Sequence, residues 1–175
     1  MKIIAITKPD FYDGEAAFIK RLFESGFDIV HLRKPNSDID NCRNILNELS
    51  SEERSRIVVH DYPELYYEFS LKGIHINKNI VKYPEDYQGF KTRSCHSLEE
   101  VKLYKDDLDY VFLSPIFDSI SKQGYKSAFT QDELRRASEE GIIDEKVVAL
   151  GGVTYDRISL LKDLGFGGAA MMGGI

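Results

Sequence analysis

The chain has 175 residues, 42% of them hydrophobic, with 23 Lys and Arg against 29 Asp and Glu, a net charge of -6 at pH 7. It can bury a core without metals or disulfides, and its acidic balance argues against a general nucleic-acid surface, which needs clustered Lys and Arg. The opening run Met1-Lys2-Ile3-Ile4-Ala5-Ile6-Thr7 is too short and too weakly basic for a secretion signal, no segment reaches the roughly 20 apolar residues of a membrane span, and Cys42 and Cys95 fit no disulfide framework, so reduced cytoplasmic thiols are expected.

In chain order, apolar and β-branched runs predict strands at residues 2–7, 28–33, 56–60, 73–76, 91–94, 109–114, 146–150 and 168–172. Helical periodicity falls between them at 14–25, 38–49, 97–105, 130–140 and 154–164, with a shorter helix at 63–71 and an irregular stretch at 77–90. Ser97 with Glu100, and Thr130 with Glu133, have the spacing of a capping box. This alternation predicts βα units around a parallel sheet, and eight of them predict a (β/α)8 TIM barrel in a single domain, residues 1–175. The length is small for a fold that typically takes about 250 residues. Ile175 directly follows the eighth strand, so the barrel is expected to lack its final helix, through truncation or closure by a neighbour.

The four histidines, His31, His60, His75 and His96, stand at the far ends of four successive predicted strands, and in a parallel barrel those ends share the face that holds chemistry. Alternation along the second strand sets His31 and Arg33 on the interior side and Val30 and Leu32 toward the helices. The planar fork of Arg33 suits a phosphate, and its structural alternative is a salt bridge to a loop carboxylate. Asp61, after His60, can hold a magnesium ion completed by water and substrate phosphate, or cap the helix near Pro63. His75, inward-facing in Gly73-Ile74-His75-Ile76-Asn77, is most simply a hydrogen-bonded structural group. Four histidines also raise a zinc site, against which stands the lack of an i, i+4 pair or a recognised ligand pattern.

The sixth strand leads into the long loop Ser114-Pro115-Ile116-Phe117-Asp118-Ser119-Ile120-Ser121-Lys122-Gln123-Gly124. Lys122 can neutralise a diphosphate or a leaving group there, with the serines donating to its oxygens, or the loop is a solvated lid. Gly151-Gly152-Val153 follows the seventh strand and Gly173-Gly174 the eighth, the positions where barrel loops present bare backbone amides to phosphate, although such pairs also serve plain turns.

Several segments, in order and spacing, resemble the thiamine phosphate synthase and TenI thiazole tautomerase superfamily over essentially the whole chain. They are Val30-His31-Leu32-Arg33-Lys34, Val58-Val59-His60-Asp61, Gly73-Ile74-His75-Ile76, Ser94-Cys95-His96-Ser97-Leu98-Glu99-Glu100, Asp109-Tyr110-Val111 through Ser114-Pro115-Ile116-Phe117, and Val147-Val148-Ala149-Leu150-Gly151-Gly152-Val153. The resemblance implies a synthase in which a pyrimidine diphosphate loses pyrophosphate and the thiazole nitrogen captures the pyrimidine cation, with Mg2+ and basic side chains stabilising the departing group. By position, Arg33, Lys122 and Ser94 would contact pyrophosphate, with hydroxyls from Ser119 and Ser121. Asp61 would hold the metal, and Gly152, with Gly173 and Gly174, would cradle the thiazole phosphate.

The chain departs from that pattern at several places. The synthase's Gln-Leu-Arg-Glu-Lys run is here His31-Leu32-Arg33-Lys34-Pro35, so one pyrophosphate-binding Lys is lost in register, with Lys34 beside it. Its Asn-Asp pair is His60-Asp61, and its second metal-binding Asp is Ile80, which cannot ligate magnesium. The tautomerase's catalytic His is Pro115. Three readings follow: a thiamine phosphate synthase-like transferase, a TenI-like tautomerase with His31, His75 or His96 as acid or base, and a non-catalytic regulatory protein that binds a phosphorylated ligand. The resemblance also implies a homodimer.

Overall fold

A computed structural model describes residues 1–78, 80–118, 124 and 126–172. Its eight strands are β1 Lys2–Ile6, β2 Ile29–Leu32, β3 Ile57–Val59, β4 Gly73–Ile76, β5 Phe90–Cys95, β6 Tyr110–Leu113, β7 Val147–Ala149 and β8 Gly168–Met171, which follow one another in sequence order around a closed barrel. The helices among the described residues are α1 Glu15–Glu24, α2 Ile39–Asn47, α3 Ser51–Arg54, α4 Glu64–Phe69, α5 Leu98–Tyr104, α6 Gln131–Glu139 and α7 Ile158–Asp163. None is long and apolar enough to cross a membrane. The chain divides into two compact units, Ile4–Lys91 and Met1–Ile3 with Thr92–Ile175.

In the Ile4–Lys91 unit, β2 lies parallel to β1 with Ala5 opposite Val30, and to β3 with His31 opposite Val58. β3 in turn pairs with β4, Val58 opposite Gly73. Ile4, Val30, Ile57, Val58 and Ile74 are fully buried, each worth about 1.5–3 kcal/mol of removed apolar surface. α1 buries Ala16, Ile19, Leu22 and Phe23, the helical spacing read from sequence, and α2 buries Cys42, Ile45 and Leu46. The predicted helix at 38–49 is followed by a second, α3, which buries no residue and so leaves no periodic trace. It is held by a full capping box between Ser50 and Glu53. Residues 77–89 form no regular element where described.

In the other unit, β5 pairs with β6, β6 with β7 and β7 with β8, all parallel. Thr130 and Glu133 cap α6 reciprocally. At α5 only half the expected box forms: Ser97 accepts from the Glu100 N–H, but the Glu100 carboxylate accepts from the N–H of His96. The predicted helix at 154–164 opens with a 3₁₀ turn, Tyr155–Arg157, before α7. Lys105 is buried, its amine donating to the carbonyls of Gly141 and Ile142 and to Asp144 at 2.6 Å. Burial pushes the Cys95 thiol up to about 11 and also raises that of Cys42, so both are inert, protonated thiols near neutrality.

Candidate active site

Within the Ile4–Lys91 unit, the ends of β2, β3 and β4 bring together His31, His60 and His75, all buried. Nδ1 of His31 is hydrogen-bonded to Nε2 of His60 at 2.8 Å, with the rings nearly perpendicular at 79°. His75 stacks on His60 with a centroid separation of 4.1 Å and meets His31 edge-on at 5.5 Å. Burial, reinforced by His75, holds the pKa of His31 well below the ordinary imidazole value. Burial does the same at His60, aided by His75, His31 and the charge of Arg33. The cluster is therefore uncharged at His31 and His60 near neutral pH. The sequence argument against a cluster of ligands rested on helical spacing, whereas here three adjacent strands supply one ring each.

Arg33 follows β2 and is half-buried, and no carboxylate among the described residues pairs with its guanidinium. Its backbone is pinned from β1's end by Thr7, whose hydroxyl accepts from the Arg33 N–H at 3.0 Å and donates to the Arg33 carbonyl at 3.2 Å. Asp61 does not cap α4, which has no side-chain cap. Its Oδ2 accepts from the N–H of Lys34 at 3.0 Å, tying the end of β3 to that of β2, and its other oxygen accepts no bond from the described residues. That single carboxylate fits a magnesium ion completed by water and phosphate oxygens. Ile80, half-buried, supplies only its backbone, which pairs with Asn77.

Lys34, read as a neighbour of the missing phosphate lysine, points elsewhere. It is 1% exposed, and its amine donates to the carbonyls of Lys8 and Asp10, at 2.8 and 2.9 Å, and to Glu15 at 2.5 Å, beneath the ring of Phe11. Burial holds the pKa of Glu15 above the usual carboxylate value, and the Lys34 ammonium offsets only part of that rise. Sequence reasoning missed both this ion pair and the role of Thr7. The only signals were a Lys inside an otherwise buried strand end and a Thr closing an apolar run.

Within the other unit, His96 is exposed just beyond β5, with Nδ1 3.2 Å from both the carbonyl and the hydroxyl oxygen of Ser114. Ser94 is half-buried on β5. After β7, Gly151 and Gly152 have φ of +94° and +62°, and a side chain at Gly151 would strike Pro115. Phe117 N–H donates to the Gly151 carbonyl, and Arg157 donates to that of Gly152 at 2.6 Å. The N–H groups of Gly151 and Gly152 donate to no acceptor among the described residues. Ser119, Ser121, Lys122, Gly173 and Gly174 lie outside the described residues.

Eight strands following one another in sequence order around a closed barrel, with helices between them, define a protein of the (β/α)8-barrel class. The sequence matches the family TMP-TENI, thiamine monophosphate synthase, over residues 3–175, and the chain belongs to that family. It is 44% identical, with a TM-score of 0.90, to a crystal structure of thiamine phosphate pyrophosphorylase from Bacteroides thetaiotaomicron, covering 99% of this chain and 83% of that one. A thiamine phosphate pyrophosphorylase from Pyrococcus furiosus, 20% identical with a TM-score of 0.74 over 99% of this chain and 86% of that one, shares the fold. Among curated relatives named thiamine-phosphate synthase, that of Limosilactobacillus reuteri is 28% identical over 66% of this chain and that of Salinibacter ruber 23% over 93%. The chain spans 56% of the length of the first and 75% of the second.

Proposed function

We propose that the protein is a thiamine phosphate synthase-like transferase. The observation that carries this reading is the 44% identity, over 99% of the chain, to the Bacteroides pyrophosphorylase. In the reaction, the carbon–oxygen bond of a hydroxymethylpyrimidine diphosphate breaks with its electron pair leaving on pyrophosphate. The lone pair of a thiazole phosphate nitrogen then forms the new carbon–nitrogen bond, giving thiamine phosphate.

Arg33, free of any carboxylate partner among the described residues and fixed at its backbone by Thr7, supplies a fork of donors for the diphosphate. Asp61 would hold Mg2+, whose charge offsets that of the leaving group. The open amides of Gly151 and Gly152 suit the thiazole phosphate, and Ser94, Ser119, Ser121 and Lys122 are assigned to pyrophosphate by the resemblance. A tautomerase reading is less well supported, because Pro115 offers no proton-transfer group where that branch places its histidine. A cytoplasmic location and a homodimer complete the proposal.

The test is incubation of the purified protein with pyrimidine diphosphate, thiazole phosphate and magnesium, with thiamine phosphate and pyrophosphate quantified by chromatography. Equal amounts of both products, above the rate without protein, are expected. Binding of either substrate without turnover would overturn the assignment in favour of a regulatory binder.

A further inference from the structure

We propose that His31, His60 and His75 form a binding site for a borderline divalent transition cation, of which zinc and cobalt are the test cases, distinct from the magnesium position at Asp61. Their candidate ligand nitrogens all lie within 4.8 Å of one another, and all three side chains are buried. A zinc ion bonded to imidazole at about 2.0–2.1 Å in tetrahedral geometry places its nitrogens about 3.3 Å apart. The observed separations straddle that value, from the 2.8 Å of the His31–His60 contact to the 4.8 Å limit of the group.

The chemistry of the donors favours this class of cation over magnesium. Imidazole nitrogen is a good ligand for zinc, cobalt and nickel and a poor one for the hard, oxygen-seeking magnesium ion. Zinc binds imidazole through an unprotonated ring nitrogen, and the 2.8 Å hydrogen bond between Nδ1 of His31 and Nε2 of His60 requires one of those two nitrogens to carry no proton. The hydrogen bond between Nδ1 of His31 and Nε2 of His60 uses one proton on a nitrogen that would face the ion. On binding, that proton moves to the other nitrogen of its own ring, so no net proton is required.

One rearrangement is demanded. His60 and His75 lie nearly parallel, 10° apart, and two stacked rings cannot aim their lone pairs at the same point. One of them must turn about its side-chain torsions. Three protein ligands leave a fourth position for water or an anionic oxygen, the coordination typical of an open zinc site.

The experiment uses the full chain, stripped with a chelator and titrated with Co2+. One equivalent should produce the intense visible bands of four-coordinate cobalt, and one equivalent of Zn2+ should displace them. His60→Gln and His75→Gln, checked for folding by circular dichroism, should each weaken zinc retention in equilibrium dialysis by more than about tenfold. His96→Gln, outside the cluster, should retain zinc fully. In a parallel measurement that needs no variant, zinc added to protein labelled with 15N-histidine should shift the ring nitrogens of three histidines and spare the fourth. Absence of the cobalt bands, zinc retention unchanged in a folded His60→Gln protein, or ring shifts confined to His96 would each overturn the proposal.

Discussion

Nδ1 of His31 and Nε2 of His60, contributed by neighbouring parallel strands, share a 2.8 Å hydrogen bond inside the protein, with their rings set edge to face. Both imidazoles titrate well below the ordinary value of 6.5 in the native state, whereas in the unfolded chain they titrate near it. Below that pH the unfolded chain binds protons that the native protein does not. In metal-free protein, stability should therefore be full above about pH 7 and fall as the solution is acidified, by up to about 1.4 kcal/mol per pH unit for each imidazole. Urea midpoints at pH 7.5 and 5.5 measure this, and His31→Asn should flatten the dependence. An equally steep profile in that variant would contradict the buried, neutral pair.

Lys34 and Glu15 form a buried ion pair, with side chains 0% and 2% exposed. Lys34→Met strands the carboxylate and should cost about 3–5 kcal/mol in urea denaturation, while the double variant Lys34→Met with Glu15→Leu should recover much of it. If the double variant were as unstable as the single, the loop carbonyls of Lys8 and Asp10, rather than the charge of Glu15, would be the partners that matter.

Arg33 has no carboxylate partner among the described residues to lose, so Arg33→Ala should leave the unfolding midpoint within about 0.5 kcal/mol of the parent. The same change should lower kcat/KM for the pyrimidine diphosphate roughly 10- to 100-fold, the worth of charged hydrogen bonds. Arg33→Lys keeps the charge without the fork and should fall between. A steady-state comparison of the three proteins decides it.

Asp61→Asn keeps an oxygen for the N–H of Lys34 but removes the negative charge. Turnover should then need a higher magnesium concentration for half-maximal rate, and excess chelator should abolish it in the parent protein. Chelator-insensitive turnover would show that the single carboxylate is not a metal ligand.

Strand positions were legible because burial on both faces writes continuous apolar runs: β4 matches its predicted limits, and the strands β2, β6 and β7 lie inside theirs. α3 was not, since a four-residue helix with no buried side chain has no periodicity to read. In the site, adjacent strand ends made the histidines visible as a set, but not their mutual contact, which depends on the register that sets His31 beside β3. The partners of Lys34 were not legible for a related reason. One residue beyond Arg33 on a strand end, its side chain leaves on the opposite side, and only the fold shows that carbonyls from the loop after β1 wait there.

The enclosure of Lys34 gives this half of the molecule a built-in reporter of its own opening. With the whole residue only 1% exposed, Lys34 should resist acylating reagents that quickly modify surface lysines such as Lys8 and Lys78. Its labelling by mass spectrometry would then follow the rate at which the Ile4–Lys91 unit exposes its interior, read at one atom in an unmodified sequence.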